Sequence, residues 1–184
     1  NYVKKYSLNF PIVIKPSNEG SSIGVKICKN YNELKRSFGL LKKNYKTLIF
    51  EKYIGGQEVQ VAVMNGRALG AIELKPKRKF YDYTAKYFKS EKTKHIMPAN
   101  ISKKKYLKVL KIAERTHKAL KCRGVTRCDF KILNNKFYLL EINTQPGMTN
   151  LSLVPEIAKY RGISFDNLVK RIILDASIGR WLNQ

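Results

Sequence analysis

A β-hairpin is predicted by residues 126–143, which read Thr126-Arg-Cys-Asp-Phe-Lys-Ile-Leu133, Asn134-Asn135 and Lys136-Phe-Tyr-Leu-Leu-Glu-Ile-Asn143. The first run, and the third as far as Glu141, favour strands, and the Asn-Asn pair between them is typical of a turn. We expect a three-residue loop that places Leu133 opposite Phe137. The register decides which side chains share a face, because side chains along a strand alternate between the two faces of a sheet.

This register separates a polar face of the hairpin from an apolar one. It places Asp129 opposite Glu141 and Arg127 opposite Asn143 on the polar face, whereas a two-residue loop would put Asp129 and Glu141 on opposite faces. The apolar face would contain Cys128, Phe130, Ile132, Tyr138, Leu140 and Ile142. The hairpin therefore has one side to bury and one side that gathers an arginine, two carboxylates and an amide.

The polar face has the composition of a metal and phosphate site. Two opposed carboxylates, with Cβ atoms about 5 Å apart, repel each other unless one is protonated or a cation lies between them. Carboxylate oxygens and the amide oxygen of Asn143 suit Mg²⁺ or Mn²⁺, which commonly bridge carboxylates to nucleotide phosphates. The alternative is an acidic pair, Asp129 and Glu141, that surface lysines neutralise.

The loop that follows the hairpin consists of small, polar and turn-forming residues, from Thr144 to Pro155. Such loops often carry binding groups on a rigid scaffold. Gly147 allows a backbone conformation that other residues resist. We expect Ser152 to cap a helix near residues 153–161, whose exposed N–H groups would favour an anion such as a carboxylate. The alternative is an ordinary connection with a capping serine.

A second candidate site lies near the start of the chain. Residues 10–16 form a predicted strand that contains Lys15, and residues 25–28 form another. The glycine- and serine-rich loop between them could wrap a phosphate with N–H groups and hydroxyls, while Lys15 supplies positive charge. The loop is not a Walker A motif, because no Lys-Ser/Thr pair follows Gly24 and a strand follows it. The alternative is a plain hairpin.

Residues 47–54 form a predicted buried strand. Its outgoing end, from Glu51 to Ile54, could present backbone groups to a purine and a carboxylate to a ribose, or it could be a strand end with solvated charges. Asn65-Gly66 predicts a tight hairpin between residues 58–64 and 67–74. We interpret residues 78–91 as a long loop able to fold over a ligand.

An amphipathic helix is predicted over residues 102–120, with Ser102 as its cap. One face would contain Tyr106, Leu110, Ala113, His117 and Leu120. His117 is therefore interpreted as a packed helix residue. His95 has no paired ligand, and we assign it no role.

Taken in order, these motifs resemble those of D-alanine–D-alanine ligases of the ATP-grasp superfamily. The resemblance extends over nearly the whole chain, to about Asp175. The matching segments are Ile14-Lys-Pro-Ser-Asn-Glu-Gly-Ser-Ser-Ile-Gly24, Glu51-Lys-Tyr53, Phe80-Tyr-Asp-Tyr-Thr-Ala-Lys-Tyr87, Arg127-Cys-Asp129, Leu140-Glu-Ile-Asn-Thr-Gln-Pro-Gly-Met-Thr149 and Ser152-Leu-Val-Pro155. It implies an α+β fold in which two subdomains with antiparallel sheets hold ATP between them. Residues 1–55 would be the remainder of the central ATP-binding subdomain, and residues 56–184 the C-terminal subdomain, with a lid at about 78–91.

The resemblance also implies binding roles for individual residues. Those that would bind ATP are Lys15, Glu51, Lys52, Ile54, Glu58 and the lid lysine Lys86. Those that would bind Mg²⁺ or Mn²⁺, with two ions expected, are Asp129, Glu141 and Asn143. Those that would form part of the pocket for the second D-alanine carboxylate are Ser152 and Leu153.

Four residues would have catalytic roles by the same resemblance. Ser21 and Tyr87 would position the first D-alanine and close the lid, while Arg127 and the backbone at Gly147 would stabilise the tetrahedral intermediate. The family transfers the γ-phosphoryl group of ATP to the first D-alanine, and the amine of the second D-alanine attacks the acyl phosphate. The resemblance thus implies a cytoplasmic ligase for peptidoglycan precursor synthesis, cell wall biogenesis and cell shape, in a family whose members are typically homodimers.

Two departures from the family pattern stand out. Gln145 replaces the serine of an Asn-Thr-Ser-Pro-Gly motif, which leaves the metal ligands intact. The chain begins at Asn1, inside the expected ATP-binding domain, so we expect the C-terminal portion of a ligase that is inactive alone. Two other readings are a half-enzyme completed by another chain and a decayed relic. A D-alanine–D-lactate ligase is the alternative within the class, although the tyrosine-containing lid resembles the dipeptide-forming type.

The strongly basic composition is the main argument for a different function, namely nucleic-acid binding. The formal net charge of +24 is typical of a nucleic-acid-binding module. The lysines are spread along the chain, however, so we attribute the charge to compositional bias, with weak non-specific polyanion binding rather than a specific nucleic acid partner. No apolar run approaches the roughly 20 residues that span a membrane. The odd number of cysteines, 3 in all, indicates reduced thiols in a cytoplasm.

Overall fold

The computed structural model describes residues 8–20, 22–75, 93–149 and 151–176. These residues fold as α+β with two antiparallel sheets, which confirms the predicted class. The strands are β1 (Ile12–Pro16), β2 (Lys26–Cys28), β3 (Leu48–Lys52), β4 (Gln57–Met64), β5 (Arg67–Lys75), β6 (Lys94–Ile96), β7 (Val125–Leu133) and β8 (Lys136–Asn143). The helices are α1 (Tyr31–Leu41), α2 (Lys103–Ala119), α3 (Leu153–Tyr160) and α4 (Phe165–Asp175). None of these helices is long and apolar enough to cross a membrane.

The chain divides into two compact units, with the first boundary between Ile54 and Gly55. The sequence placed a boundary one residue later, after residue 55. Which unit corresponds to which ATP-grasp subdomain stays a prediction, and the lid expected at 78–91 lies outside the described residues.

The first unit contains a three-stranded sheet in the order β2-β1-β3. Helix α1 packs on it and buries Ile12, Ile14 and Cys28 against Leu34 and Leu41. The prediction that β3 is a buried strand is wrong, since Ile49 and Phe50 are 39% and 38% exposed. The reason is that β3 is an edge strand, and α1 packs mainly against β1 and β2.

The second unit contains a five-stranded sheet in the order β6-β5-β4-β7-β8. Helix α2 covers one face, where Val109 and Ala113 pack against a core that includes Val59, Val61 and Phe130. The predicted β4–β5 hairpin is confirmed, and its turn residues Asn65 and Gly66 have φ values of 49° and 74°. Both lie in the left-handed region that this tight turn requires.

The β7–β8 hairpin agrees with the predicted register at its polar end and differs at its turn. The turn has two residues, not three, because Leu133 pairs with Lys136. Asn134 and Asn135 adopt φ values of 48° and 61°, as a two-residue turn requires. A β-bulge then shifts the register, so that Asp129 still pairs with Glu141. The expectation that a two-residue loop separates these carboxylates is therefore wrong.

The bulge changes which β8 residues face the core. Leu140 is the extra residue without a partner in the ladder, and Tyr138 pairs with Lys131 on the polar side. Neither belongs to the apolar face, contrary to prediction. Phe137 takes a place there together with Ile142, and both pack against the core.

Helix α2 confirms the predicted helix and the cap at Ser102, whose Oγ accepts a hydrogen bond from the N–H of Lys105 at 3.4 Å. His117 is buried, as predicted, and its Nδ1 lies 2.9 Å from Thr126 Oγ1. Leu120 was wrongly assigned to the buried face, since it is 58% exposed at the end of the helix, and Val109 is buried instead. Helices α1 and α4 were not predicted.

Candidate functional site

Arg127 and Asp129 form the centre of the polar face of the second unit. They lie two residues apart on β7, so their side chains share a face. The guanidinium donates from Nε to Oδ1 at 2.8 Å and from Nη2 to Oδ2 at 3.0 Å. The two side chains are only 13% and 8% exposed. This two-pronged ion pair neutralises a buried carboxylate and fixes its orientation.

Gln60 lies beside this ion pair. It pairs with Asp129 across β4 and β7, so the two side chains point to the same face. Gln60 is 2% exposed, and its Oε1 atom accepts no hydrogen bond within the part of the chain that the structure describes. A buried amide oxygen without a donor is unusual in folded proteins. Sequence reasoning missed this residue, because the pairing of β4 with β7 joins distant parts of the chain.

The remaining predicted metal ligands lie on β8 in the predicted register. Glu141 pairs with Asp129, and Asn143 pairs with Arg127. The side-chain oxygen of Asn143 accepts a hydrogen bond from the N–H of Gln145 at 3.2 Å, which orients the amide. The pairing thus brings two carboxylates and one amide oxygen to one face. Their role as metal ligands stays a prediction.

This donor set fits a hard divalent cation that retains other ligands. In the described ranges no three His, Cys, Asp or Glu side chains form a metal-binding group, so a cation here would depend on two carboxylates and an amide oxygen. Two carboxylates and an amide oxygen leave coordination positions for water and phosphate oxygens, as Mg²⁺ prefers. The unpaired Oε1 of Gln60 beside Asp129 is a further oxygen on this face.

Lys131 continues the same face of β7. Its Nζ lies 2.8 Å from Oε2 of Glu58, and the two side chains are 19% and 14% exposed. The predicted ATP-binding residue Glu58 thus lies in the second unit with its charge compensated by a lysine. Sequence reasoning did not select Lys131, although its spacing of two residues from Asp129 placed it on the polar face.

The thiol of Cys128 lies on the opposite, apolar face of β7. Burial raises its pKa to about 12, and the neighbouring negative charge of Asp129 adds to the shift. The thiol is therefore protonated at neutral pH. It takes no part in the polar face.

The loop before α3 is held by Ser152 and Thr149. Ser152 Oγ accepts a hydrogen bond from the N–H of Thr149 at 3.0 Å and lies 2.9 Å from its hydroxyl. Ser152 occupies the cap position of α3, but its side chain makes no capping hydrogen bond, so the predicted side-chain cap is wrong. A Cβ at Gly147 would lie 2.9 Å from Ser152 Oγ, so any other residue at this position would require the serine side chain to shift. Leu153 is 7% exposed in the first turn of α3.

The first unit contains a separate set of predicted ATP-binding residues. Lys15 Nζ lies 2.8 Å from Glu51 Oε1, across the β1–β3 pair. Lys52 is exposed and Ile54 is half-buried at the end of β3. Three other predicted site residues, Ser21, Lys86 and Tyr87, lie outside the described residues.

A further contact in the second unit that was not predicted joins β6 to α3. His95 Nδ1, on β6, lies 2.6 Å from Glu156 Oε2 in the first turn of α3. The two side chains are 28% and 37% exposed. The pair connects the edge strand to the helix that follows the Gly147–Ser152 loop.

Comparison with known proteins agrees with the resemblance to D-alanine–D-alanine ligases. The family model described as "D-ala D-ala ligase C-terminus" matches residues 3–174. The D-alanine–D-alanine ligase of Pelagibacter ubique (strain HTCC1062) is 58% identical over 174 residues, which are 95% of this chain and 57% of that protein. The D-alanine–D-alanine ligase of Rickettsia typhi is 46% identical over 173 residues, which are 91% of this chain and 52% of that protein. The chain therefore spans somewhat more than half the length of these relatives.

Solved structures agree with the sequence matches. A crystal structure of D-alanine–D-alanine ligase from Bacillus anthracis complexed with ATP superposes with a TM-score of 0.80 at 31% identity, covering 95% of this chain and 56% of that one. A second crystal structure of the ligase from that organism gives a TM-score of 0.82 at 33% identity, covering 95% and 57%. Both chains extend well beyond the part that this chain matches.

Proposed function

The chain belongs to the D-Ala–D-Ala ligase C-terminal family, with the ATP-grasp fold, and we propose that it supplies the nucleotide- and metal-binding part of an ATP-dependent ligase. The reaction joins two D-alanine molecules through an acyl phosphate. The dipeptide serves peptidoglycan precursor synthesis, and thereby cell wall biogenesis and cell shape. The three free thiols suit a cytoplasmic setting.

The observation that carries this proposal is the polar face of the β7–β8 hairpin. It presents Asp129, Glu141 and Asn143 together with an arginine, as the register of the two strands requires. A divalent cation held there would offset negative charge on the phosphates during phosphoryl transfer. The carboxylates and the amide oxygen of this chain would bind and orient that cation.

Arg127 has two tasks in this proposal. Its guanidinium binds both oxygens of Asp129 and fixes the carboxylate. Its positive charge would also stabilise the negative charge that develops on the tetrahedral intermediate. Removing one such donor from an oxyanion site typically lowers the rate about 100- to 1,000-fold. The N–H at Gly147 would act as a second donor.

Residues of the first unit would contact the nucleotide. Lys15 carries the charge for a phosphate and is oriented by Glu51 at 2.8 Å. Glu51, Lys52 and Ile54, at the end of β3, would line the adenosine site, and Glu58 of the second unit would be a further adenosine-binding residue. Among residues outside the described part, Lys86 would contact the γ-phosphate, while Ser21 and Tyr87 would position the first D-alanine.

The second D-alanine would bind near the start of α3. Ser152 and Leu153 precede and begin this helix, whose first N–H groups favour a carboxylate. The hydroxyl of Ser152 interacts with the N–H and the hydroxyl of Thr149, which fixes its position near the place where the carboxylate would bind.

The test is binding of Mg²⁺-ATP to the 184-residue chain by calorimetry. We expect Asp129→Asn and Glu141→Gln each to weaken binding at least tenfold, while Asp166→Asn, an exposed acid in the first turn of α4, binds as the wild type does. Equal affinity in all four proteins would overturn the metal assignment. A wild-type chain that does not bind Mg²⁺-ATP would overturn the proposed function of this chain.

A further inference from the structure

Gln60 has a buried amide oxygen without a hydrogen-bond partner in the part of the chain that the structure describes. Its side chain is 98% buried, as its residual exposure of 2% implies, and its Oε1 has no hydrogen-bond donor in the described residues. The neighbour across the β4–β7 pair is Asp129, a carboxylate that accepts hydrogen bonds and donates none when ionised. Asp129 therefore cannot satisfy the amide oxygen.

Gln60 lies on the same face of the sheet as Asp129. Glu58, two residues earlier on the same strand, reaches across to Lys131 at 2.8 Å, so side chains on this face do meet between β4 and β7. By the same pairing, Gln60 lies next to the carboxylate that the proposed function assigns to the metal. The unpaired oxygen of Gln60 and the carboxylate of Asp129 therefore belong to neighbouring residues on one face of the sheet.

We propose that Gln60 is a positioning residue of the metal site, whose Oε1 accepts a hydrogen bond from a water molecule bound to the divalent cation at Asp129. This inference rests on the proposed function. Mg²⁺ and Mn²⁺ retain water ligands, and those waters are strong hydrogen-bond donors. Residues that hydrogen-bond to the ligands of a metal ion orient those ligands, and replacing such a residue commonly weakens metal binding 10- to 100-fold.

Two measurements separate this role from a structural one. Gln60→Leu keeps the volume of the side chain but removes its oxygen, as does the second variant, Gln60→Met. We expect either variant to weaken Mn²⁺ binding in the presence of ATP at least tenfold, measured by electron paramagnetic resonance. We also expect the melting temperature of the metal-free protein not to fall, because an unsatisfied buried group has been removed.

Gln57 provides a matched control on the same strand. Its Nε2 donates to Glu73 Oε1 at 3.3 Å and to the carbonyl oxygen of Asn100 at 3.2 Å, so its amide is used in the structure. Gln57→Leu should lower the melting temperature and leave Mn²⁺ affinity unchanged. The two glutamines are expected to show opposite patterns of stability and metal affinity.

The outcomes distinguish failure of this inference from failure of the proposed function. If Asp129→Asn weakens Mn²⁺ binding while Gln60→Leu and Gln60→Met bind like the wild type, only the role of Gln60 is overturned. A loss of melting temperature in both Gln60 variants without metal, equal to that of Gln57→Leu, would also overturn it. If the wild-type chain with ATP binds no Mn²⁺, both proposals fall.

Discussion

Arg127 holds both oxygens of Asp129, at 2.8 and 3.0 Å, on the strand that also provides the proposed metal site. One carboxylate therefore interacts with a fixed cation and is expected to bind an exchangeable one. A carboxylate has about four lone-pair sites, so the guanidinium leaves room for a metal ion. Arg127 keeps the buried charge compensated in the absence of that ion.

Replacing Arg127 should make stability depend on the metal. Arg127→Met leaves the buried carboxylate of Asp129 without its cation, and breaking such a pair typically lowers the free energy of unfolding by about 3–5 kcal/mol. We expect saturating Mn²⁺ with ATP to raise this free energy more in the variant than in the wild type, as urea unfolding would measure. The double variant Arg127→Met/Asp129→Leu should lose this response, and an equal Mn²⁺ effect in wild type and Arg127→Met would contradict the argument.

Gly147 and Ser152 should be energetically coupled. Gly147→Ala adds a Cβ 2.9 Å from Ser152 Oγ, at a position whose φ does not itself require glycine. We expect a loss of about 1 kcal/mol in the free energy of unfolding, because the serine must move away from Thr149. In the Ser152→Ala background the clashing oxygen is absent. Gly147→Ala should therefore lower the free energy of unfolding by less there than in the wild type, with a difference of at least about 0.5 kcal/mol. Additive losses in the double-mutant cycle would exclude this contact as the cause.

The local signals in the sequence were sufficient for some elements. Asn65-Gly66 specifies a tight turn by itself, and Ser102 marks the start of a periodic helix, so the β4–β5 hairpin and α2 were both predictable. Helix α1 was missed although it begins with a reciprocal cap, in which Glu33 N–H donates to Asn30 Oδ1 at 2.9 Å and Glu33 Oε2 accepts from Lys29 N–H at 2.8 Å. The buried residues Leu34 and Leu41 are two helical turns apart on one face, so the local signals for this helix are also present in the sequence.

The bulge in β8 explains why the pairing of Asp129 with Glu141 was predicted correctly although the turn was not. An extra residue in the loop and an extra residue in the strand have the same effect on the pairing of Asp129 with Glu141. Leu139 and Leu140 are both apolar, so the sequence pattern does not indicate which of them is unpaired. The proximity of Gln60 to Asp129 could not be predicted from local sequence patterns, because it depends on the pairing of two strands that are far apart in the chain.

His117 should make the protein less stable as the pH falls. Burial lowers its pKa below the ordinary histidine value of about 6.5, so the unfolded chain takes up a proton at a higher pH than the folded protein does. Stability is therefore unaffected by this group well above pH 6.5 and is lost as the pH falls from about 6.5 through the folded value, by at most about 1.4 kcal/mol per pH unit.

The measurement compares His95→Gln with His95→Gln/His117→Gln, because the chain has 2 histidines. Urea unfolding between pH 7.5 and pH 5 should show a smaller loss of stability in the double variant, even if it is less stable at pH 7.5. Parallel pH profiles would contradict the assignment.

Cys122 should be the first thiol to react in the native protein. Cys28 and Cys128 are 1% and 0% exposed, and burial raises the pKa of Cys128 to about 12, so neither access nor thiolate is available there. Cys122 is only half-buried, although burial raises its pKa as well. A disulfide reagent should modify one thiol rapidly, and Cys122→Ser should abolish this rapid phase. Loss of the phase in Cys128→Ser instead would contradict the burial of that side chain.

Asn135 should tolerate glycine better than an ordinary surface asparagine does. Its φ of 61° lies in the left-handed region, where glycine has no steric penalty and where Asn-Gly is the preferred two-residue turn. We expect Asn135→Gly to change the free energy of unfolding by no more than about 0.5 kcal/mol, and Asn135→Val to lower it by about 1–2 kcal/mol. The control is Asn44→Gly, at an exposed position whose φ is not positive, where the added freedom of the unfolded chain should cost about 0.5–1 kcal/mol. Urea unfolding of the three variants tests the turn, because a three-residue loop without a left-handed Asn135 would give equal losses for Asn135→Gly and Asn44→Gly.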